Sequence, residues 1–209
     1  MLITVCRLYD SYADANRVVV GLQAAGIPLA ETSVISNNSD SWYRTGQAAN
    51  VMNLRKQETS GDAAAGSKFE GAAIGVAIGA TVATAASLVT MLALPGVGAV
   101  VGAGWFAALL GSMAIGGATG GLLGALTNAG ISPEDAHVFA EGVRRGGTLV
   151  AARLSPADVP RVEAMMNQSA VKLDERCDLY RKSGWQAFDP SARPYTADQV
   201  RSERALHAH

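Results

Sequence analysis

The sequence predicts an α+β protein in which a long apolar, Gly/Ala-rich helical hairpin interrupts a small sheet domain. Between Glu70 and Glu134 the chain carries no Asp, Glu, Lys, Arg or His, so the charged residues lie in two flanking arms. Each arm alternates strand-like and helix-like patterns. At 209 residues, with 17% charged positions and a net charge of -1, the chain is one domain, or one small domain plus an appendage.

The first arm, residues 1–36, predicts a strand, a helix and a second strand. "LITVCRLY" alternates apolar or β-branched residues with others at period two, as a half-buried strand does. In "DSYADANRVVVGLQAAG", Ser11 and Asp14 have the spacing of a helix start, and Gly26 is a natural helix stop. "ETSVIS" then predicts a second short strand.

Residues 37–70 are polar and small, which predicts a linker. The second arm, residues 131–177, starts with Ser132 at a helix cap and Pro133 at the first helical position, followed by the strand "TLVAARL". Ser155 and Pro156 repeat the start signal, and "AVKLDE" predicts a last strand. Joined across the centre, the two arms have the order of a ferredoxin-like split β-α-β sheet, in which the first and last strands are neighbours.

Two aromatic stretches lie outside this pattern. Trp42 and Tyr43 are unusual in a linker, and the tail 178–209 carries Trp185, Phe188 and Tyr195 before a capping box at Thr196 and Gln199 that predicts a short charged helix. These aromatic residues either pack on the chain's own sheet or contact another subunit, since Trp and Tyr are enriched at interfaces.

The neutral centre, residues 71–130, repeats small residues every fourth position on either side of a turn at Pro95 and Gly96. The repeated positions are Gly71, Gly75, Gly79, Ala83 and Ser87, and then Gly104, Ala108, Ser112, Gly116, Gly120 and Gly124. On a helix this spacing forms a smooth ridge, a glycine zipper, that lets two helices approach closely. The residues predicted to carry helix packing and self-association are Gly71, Gly75, Gly79, Gly116, Gly120 and Gly124.

Helices that are apolar all round are buried or lie in a membrane, which leaves two hypotheses. In the first, the hairpin spans a membrane, lipid is a partner, and both arms lie on the cytoplasmic side, because "MLITVCRLYD" lacks the features of a signal peptide. In the second, the protein is a soluble, cytoplasmic homo-oligomer or cage-like particle whose hairpins form a shared core.

No catalytic or ligand-binding pattern is evident. The histidines, which do not have metal-ligand spacing, are His137, His207 and His209. We expect His137 and Glu141 to form a surface hydrogen bond, one helical turn apart. The glycine motifs lack the context of a phosphate loop, and the basic residues do not cluster as in nucleic-acid-binding proteins. The sequence therefore predicts no enzyme, cofactor, metal, nucleic acid or small-molecule substrate.

The two cysteines suit a reducing compartment and are expected to be small buried hydrophobes. Because Cys6 and Cys177 fall on or just beyond strands that are predicted neighbours, a redox pair is conceivable but not favoured.

A strand-helix-strand start, a neutral Gly/Ala-rich insert with "PGVG" at its bend, and "GISPEDAHVFAEGVRRGGTLVAARL" together resemble the bacterial general stress protein family, also described as heat-induced stress proteins. The tail "GWQAFDPSARPYTADQVRSER" is similar to an extension in some members. The resemblance implies a ferredoxin-like module split by a glycine-zipper insert, a link to stress, a location at the bacterial inner membrane in the first hypothesis, and no established catalysis.

Overall fold

A computed structural model describes residues 2–43, 89–113 and 121–207, which form a mixed α/β fold around a five-stranded antiparallel sheet. The strands are β1 (Ile3–Tyr9), β2 (Thr32–Asn37), β3 (Val89–Leu94), β4 (Gly98–Ala103) and β5 (Thr148–Leu154). The helices are α1 (Tyr12–Ala24), α2 (Trp105–Met113), α3 (Gly121–Asn128), α4 (Pro133–Arg144), α5 (Val159–Met166), α6 (Leu173–Lys182) and α7 (Ala197–His207). A 3-10 turn, Leu29–Glu31, precedes β2.

The strand order is β1-β5-β2-β4-β3. Strand β5 from the second arm lies between the two strands of the first arm, with Val150 opposite Arg7 on one side and Val34 on the other. The β3–β4 hairpin extends the sheet beyond β2. The two arms therefore build one sheet rather than two units.

The sheet has two differently covered faces. Helices α2, α3 and α4 pack on the face that carries Cys6, Leu8 and Leu149, which we call the α4 face. Helices α1 and α5 pack on the opposite α1 face, over Val5 and Val150. The alternation of side chains along each strand produces this division, because successive residues point to opposite sides of a sheet.

Several local predictions are confirmed. Ser11 and Ser132 cap α1 and α4, each accepting a hydrogen bond of 3.1 Å from the backbone N–H three residues later. Thr196 and Gln199 form the reciprocal bonds of a capping box before α7. The predicted strands in "LITVCRLY", "ETSVIS" and "TLVAARL" are β1, β2 and β5.

The helical prediction for residues 89–103 is wrong, because this segment forms the β3–β4 hairpin. The turn at Pro95 and Gly96 is confirmed: the N–H of Val97 donates to the carbonyl of Leu94 at 3.2 Å, and Gly96 has a φ of 71°. A Pro at the second position and a Gly at the third are typical of a type II turn. The turn joins two strands of six residues each, not two helices.

The last predicted strand, "AVKLDE", is also wrong, because α6 begins within it at Leu173. Asp174 and Glu175 in the first turn, with Arg181 and Lys182 in the last, match the helix dipole. At the expected position beside β1, one hydrogen bond remains, in which the Val171 N–H donates to the Leu8 carbonyl at 2.8 Å.

The predicted membrane anchor is contradicted. Within the three described ranges, no helix joins the apolarity of a bilayer span to a length of 18 residues. The prediction of a transmembrane hairpin at the inner membrane is therefore corrected.

The tail contacts the body of the same chain. Phe188 is buried among the residues of the α4 face, and its N–H donates to His137 Nδ1 at 3.1 Å. The Arg144 guanidinium lies 4.8 Å from the ring centroid of Tyr195. Trp185 meets Tyr180 edge-on, with ring centroids 5.7 Å apart.

Candidate functional site

An apolar recess in the described residues lies on the α1 face, between α1 and strands β2 and β4. Its volume is about 170 Å³. Val19 and Val20 of α1 form one wall, and Val34, Val101 and Ala103 of the sheet form its base. We call this recess the α1 pocket. It is close in size to a cavity that accommodates a single aromatic ring.

The loop that follows β2 forms the aromatic wall of the α1 pocket. Tyr12, at the start of α1, lies 4.8 Å from Trp42 between ring centroids, and Trp42 lies 5.9 Å from Tyr43. The rings are tilted by 44° and 72°, so they meet by face and edge rather than in a stack.

Two asparagines fix this loop. The side chain of Asn38 accepts from the Tyr43 N–H at 2.9 Å and donates to the Tyr43 carbonyl at 3.1 Å. The Trp42 indole N–H donates to the Asn37 carbonyl at 2.7 Å. Ser41, which precedes Trp42 in this loop, has a left-handed φ of 54°. Because the indole N–H is already satisfied, Trp42 offers the pocket mainly its apolar ring.

Neutral polar groups complete the pocket. Asn16 and Gln23, two helical turns apart on α1, reach its rim, and the Thr32 hydroxyl donates to the Pro28 carbonyl at 3.4 Å. Among the residues that the structure describes, the amides of Asn16 and Gln23 make no hydrogen bond to protein. Burial, with a smaller contribution from neighbouring Tyr43, raises the pKa of Tyr12, which keeps its hydroxyl protonated at neutral pH.

The lining determines what the pocket can do chemically. Its described lining includes no Asp, Glu, Lys, Arg, His or Cys, so these lining residues supply neither a carboxylate or imidazole base nor a cysteine nucleophile. Across the described ranges, no three His, Cys, Asp or Glu side chains come together as a metal site would require. The arrangement suits binding of a neutral group.

The predicted site residues are distributed over three places. Trp42 and Tyr43 line the α1 pocket, whereas Trp185, Phe188 and Tyr195 lie in the tail against α4 and α6. Of the glycine-zipper positions, Gly124 lies in α3. The zipper positions outside the described residues are Gly71, Gly75, Gly79, Gly116 and Gly120.

Neither the Cys6–Cys177 pair nor the predicted His137–Glu141 hydrogen bond forms. Cys6 is buried on the α4 face, Cys177 lies half-buried on α6, and both thiols are free. Glu141 is buried and binds Arg145 at 2.7 Å, not His137, which accepts from the tail.

Part of the pocket could not be found from the sequence. The pair Trp42 and Tyr43 stood out because aromatic residues are rare in a polar linker. Asn16 and Gln23 gave no such signal, because polar residues on a helix usually face water. Ala103 was hidden within a segment predicted to be helical.

Comparisons of the chain with protein-family models, with curated proteins and with solved structures gave no match. The resemblance to the general stress protein family stays a prediction.

Proposed function

We propose that the protein is a non-enzymatic homo-oligomer that associates through the free edge of its sheet, strand β3. This keeps the homo-oligomeric part of the second hypothesis, and the contact is made by residues 89–94 of the predicted hairpin, which form a strand. The observation that carries the proposal is the character of this edge: in the described residues β3 pairs only with β4, and its sequence, "VTMLAL", contains neither a charge nor a proline.

Uncharged edge strands are unusual because they invite pairing with other chains. Native proteins usually protect an edge with Lys, Pro, a bulge or a covering helix. Within the described residues, Met91 is 51% exposed and Ala93 is exposed on the α1 face of β3. Pairing with a second copy would satisfy the outward backbone groups and place these apolar side chains beside their counterparts.

Symmetry limits how two copies can pair. Two β3 strands related by a two-fold axis run antiparallel, and the axis must be perpendicular to the sheet, so the α1 faces of both copies lie on the same side. The axis then passes midway between one residue of β3 and the same residue of the second copy, so these two residues are directly opposite each other. An axis through Met91 or Leu92 lets most of the strand pair, giving a continuous sheet of ten strands from two copies of the five-stranded one.

We also infer that the two arms form a ferredoxin-like module. The order β1-β5-β2, with α1 and α5 on the same face, supports this assignment. The bond from Val171 to Leu8 supports a reduced fourth strand at the position beside β1. In this interpretation the β3–β4 hairpin is an addition beyond β2, at the edge where a second copy would pair.

The test compares molar masses by size-exclusion chromatography with light scattering, without detergent. The wild-type chain should have at least twice the monomer mass. Met91→Lys, which places a charge on the edge strand, should shift the mass toward the monomer. Leu179→Lys is the matched control, because Leu179 is 46% exposed but lies on α6, outside the sheet. A monomeric wild type, or equal behaviour of both variants, contradicts the proposal.

A cysteine scan locates the axis. In a Cys6→Ala, Cys177→Ala background, single cysteines replace Met91, Leu92 and Ala93 in turn. Only the residue on the axis faces its own copy, so mild oxidation should give a disulfide-linked dimer at one position in preference to its neighbours. Equal cross-linking at every position would indicate random collision instead of a defined pairing.

A further inference from the structure

The α1 pocket has the features of a ligand site and not of a packing defect. Its aromatic wall is fixed in advance by the Asn38 side chain and by the bond from the Trp42 indole to Asn37. A rigid wall beside an open volume of about 170 Å³ costs little reorganisation when a ligand enters. Small-molecule sites are typically apolar and largely preformed, with a few polar groups.

The polar groups limit the charge of the ligand. Among the lining residues that the structure describes, the ionisable side chains are Tyr12 and Tyr43, so a charged ligand would lose hydration without gaining a partner from them. The amides of Asn16 and Gln23 make no hydrogen bond to the described part of the chain, and each amide offers both a donor and an acceptor. A neutral ligand with a carbonyl, amide or hydroxyl on its edge matches them.

The apolar groups limit the shape of the ligand. The ring centroids of Tyr12 and Trp42 lie 4.8 Å apart, with 44° between the ring planes, and Val34 and Val101 form an aliphatic base. A flat ring contacts such walls over a larger area than a branched aliphatic group does. The volume limits the buried part to about one ring.

We propose that the α1 pocket binds a neutral planar ring compound, with the ring against Tyr12, Trp42 and Val101 and a hydrogen-bonding edge toward Asn16 and Gln23. This site is independent of self-association through β3. It adds a binding activity that the sequence did not predict.

Three probes of similar size test the charge and polarity of the site on the full-length chain. Benzamide has a neutral polar edge, benzoate carries a charge at the same place, and toluene has no polar edge. Binding is followed by the NMR signal of the Trp42 indole N–H, assigned by its loss in Trp42→Phe. We expect saturable binding of benzamide, with benzoate and toluene each at least about tenfold weaker. Absence of saturable binding, or equal binding of benzamide and benzoate, overturns the proposal.

Paired variants locate the site. Ala103→Phe fills the α1 pocket and should abolish benzamide binding, whereas Ala205→Phe, at an exposed position of α7 outside the lining, should leave it unchanged. Asn16→Leu retains a helix-compatible, half-exposed position. It should weaken benzamide about fivefold or more without weakening toluene. Thermal unfolding confirms that each variant is folded. If Ala103→Phe is unfolded, the Asn16→Leu result decides, and equal losses for both probes overturn the assignment.

Discussion

Asn37 joins three parts of the molecule through one buried residue. Its amide donates to the carbonyls of Val143 and Arg144 at 3.0 and 3.1 Å, at the end of α4, where a helix leaves carbonyls unpaired. Its side-chain oxygen accepts from the Ser39 N–H at 2.8 Å. Its backbone carbonyl accepts from the Trp42 indole at 2.7 Å. The pocket wall is therefore bonded to the backbone of a residue whose side chain caps a helix from another part of the sequence.

Asn37→Ala should lower the free energy of unfolding by about 1–3 kcal/mol, because the Arg144 carbonyl loses its side-chain donor and the Val143 carbonyl keeps only the Gly146 N–H, at 3.0 Å. Asn16→Ala is the control: this amide makes no hydrogen bond to the described protein, and the change should stay within about 0.5 kcal/mol. Urea unfolding measures both. Equal effects would mean that the buried Asn37 amide adds no more stability than the half-exposed Asn16 amide.

The sequence did not indicate this role for Asn37, because "NNSD" has the composition of a turn and its partners lie more than a hundred residues away. The same limit applies to Glu141. The sequence suggested His137 one turn before it, while the structure pairs its buried carboxylate with Arg144 and Arg145 one turn after it. The local spacing predicted that Glu141 pairs with a side chain one helical turn away, but it did not predict which side chain.

At the scale of elements, helix starts were predictable and strands in the neutral segment were not. The caps of α1, α4 and α7 depend on residues within one turn, so their signals survive without tertiary context. The β3–β4 segment is uncharged and almost entirely apolar, and such runs fit a buried strand as well as a buried helix. The signal in favour of strands was the short length of each apolar run between turn residues.

The glycines of this segment have a sheet explanation. A Cβ on Gly102 would lie 2.5 Å from Ile35 Cδ1 and 3.0 Å from Ala107 Cβ, so β4 needs this glycine to pack closely against β2 and α2. Gly104 has a φ of 94° and turns the chain from β4 into α2. At Gly104 the four-residue spacing therefore does not reflect packing between helices, because this residue lies before α2.

Helix α7 docks through the buried Val200, an ion pair of 3.5 Å from Glu203 to Arg145, and Arg204. The Arg204 guanidinium binds the Asp40 carboxylate at 2.5 Å and the carbonyls of Gly146 and Asn37 at 2.8 Å each. Arg204→Met should lower the free energy of unfolding by about 2–4 kcal/mol, since it leaves a buried carboxylate unpaired. Arg201→Met, one turn earlier with its side chain 58% exposed, should cost less than about 0.5 kcal/mol. Thermal unfolding compares the two, and similar losses would show that the Arg204 contacts add nothing to the docking of α7.

At the scale of the whole molecule, the sequence predicted that the two arms share one sheet but not how the sheet ends. The pairing of β5 between β1 and β2 follows from the order of strands and helices in the arms, which can be read without coordinates. The edges depend on competition between elements: α6 takes the residues of the expected last strand, and the neutral centre supplies β3 and β4 instead. Such competition is decided by packing across the molecule, which periodicity does not report.

Buried neutral acids make the whole fold sensitive to alkali. Burial raises the pKa of Cys6 from 9.0 to about 12, against a smaller opposing effect of Arg7, and burial also raises the pKa of Tyr180 from 10.0 to about 12. Above the ordinary pKa, the unfolded chain loses these protons while the folded chain keeps them. The stabilisation is therefore complete below about pH 9 and decreases as the pH rises toward 12.

The contribution of Cys6 can be isolated by comparing the free energy of unfolding at about pH 8 and about pH 10.5. Wild type should lose about 2 kcal/mol more over this range than Cys6→Ala, because the variant has no thiol to deprotonate on unfolding. Val5→Ala, a truncation at the neighbouring buried position of β1, should be destabilised at both pH values yet keep the wild-type pH dependence. If Cys6→Ala and Val5→Ala instead show the same pH dependence, the folded state does not hold the Cys6 thiol in its neutral form, and the alkaline sensitivity must come from other groups.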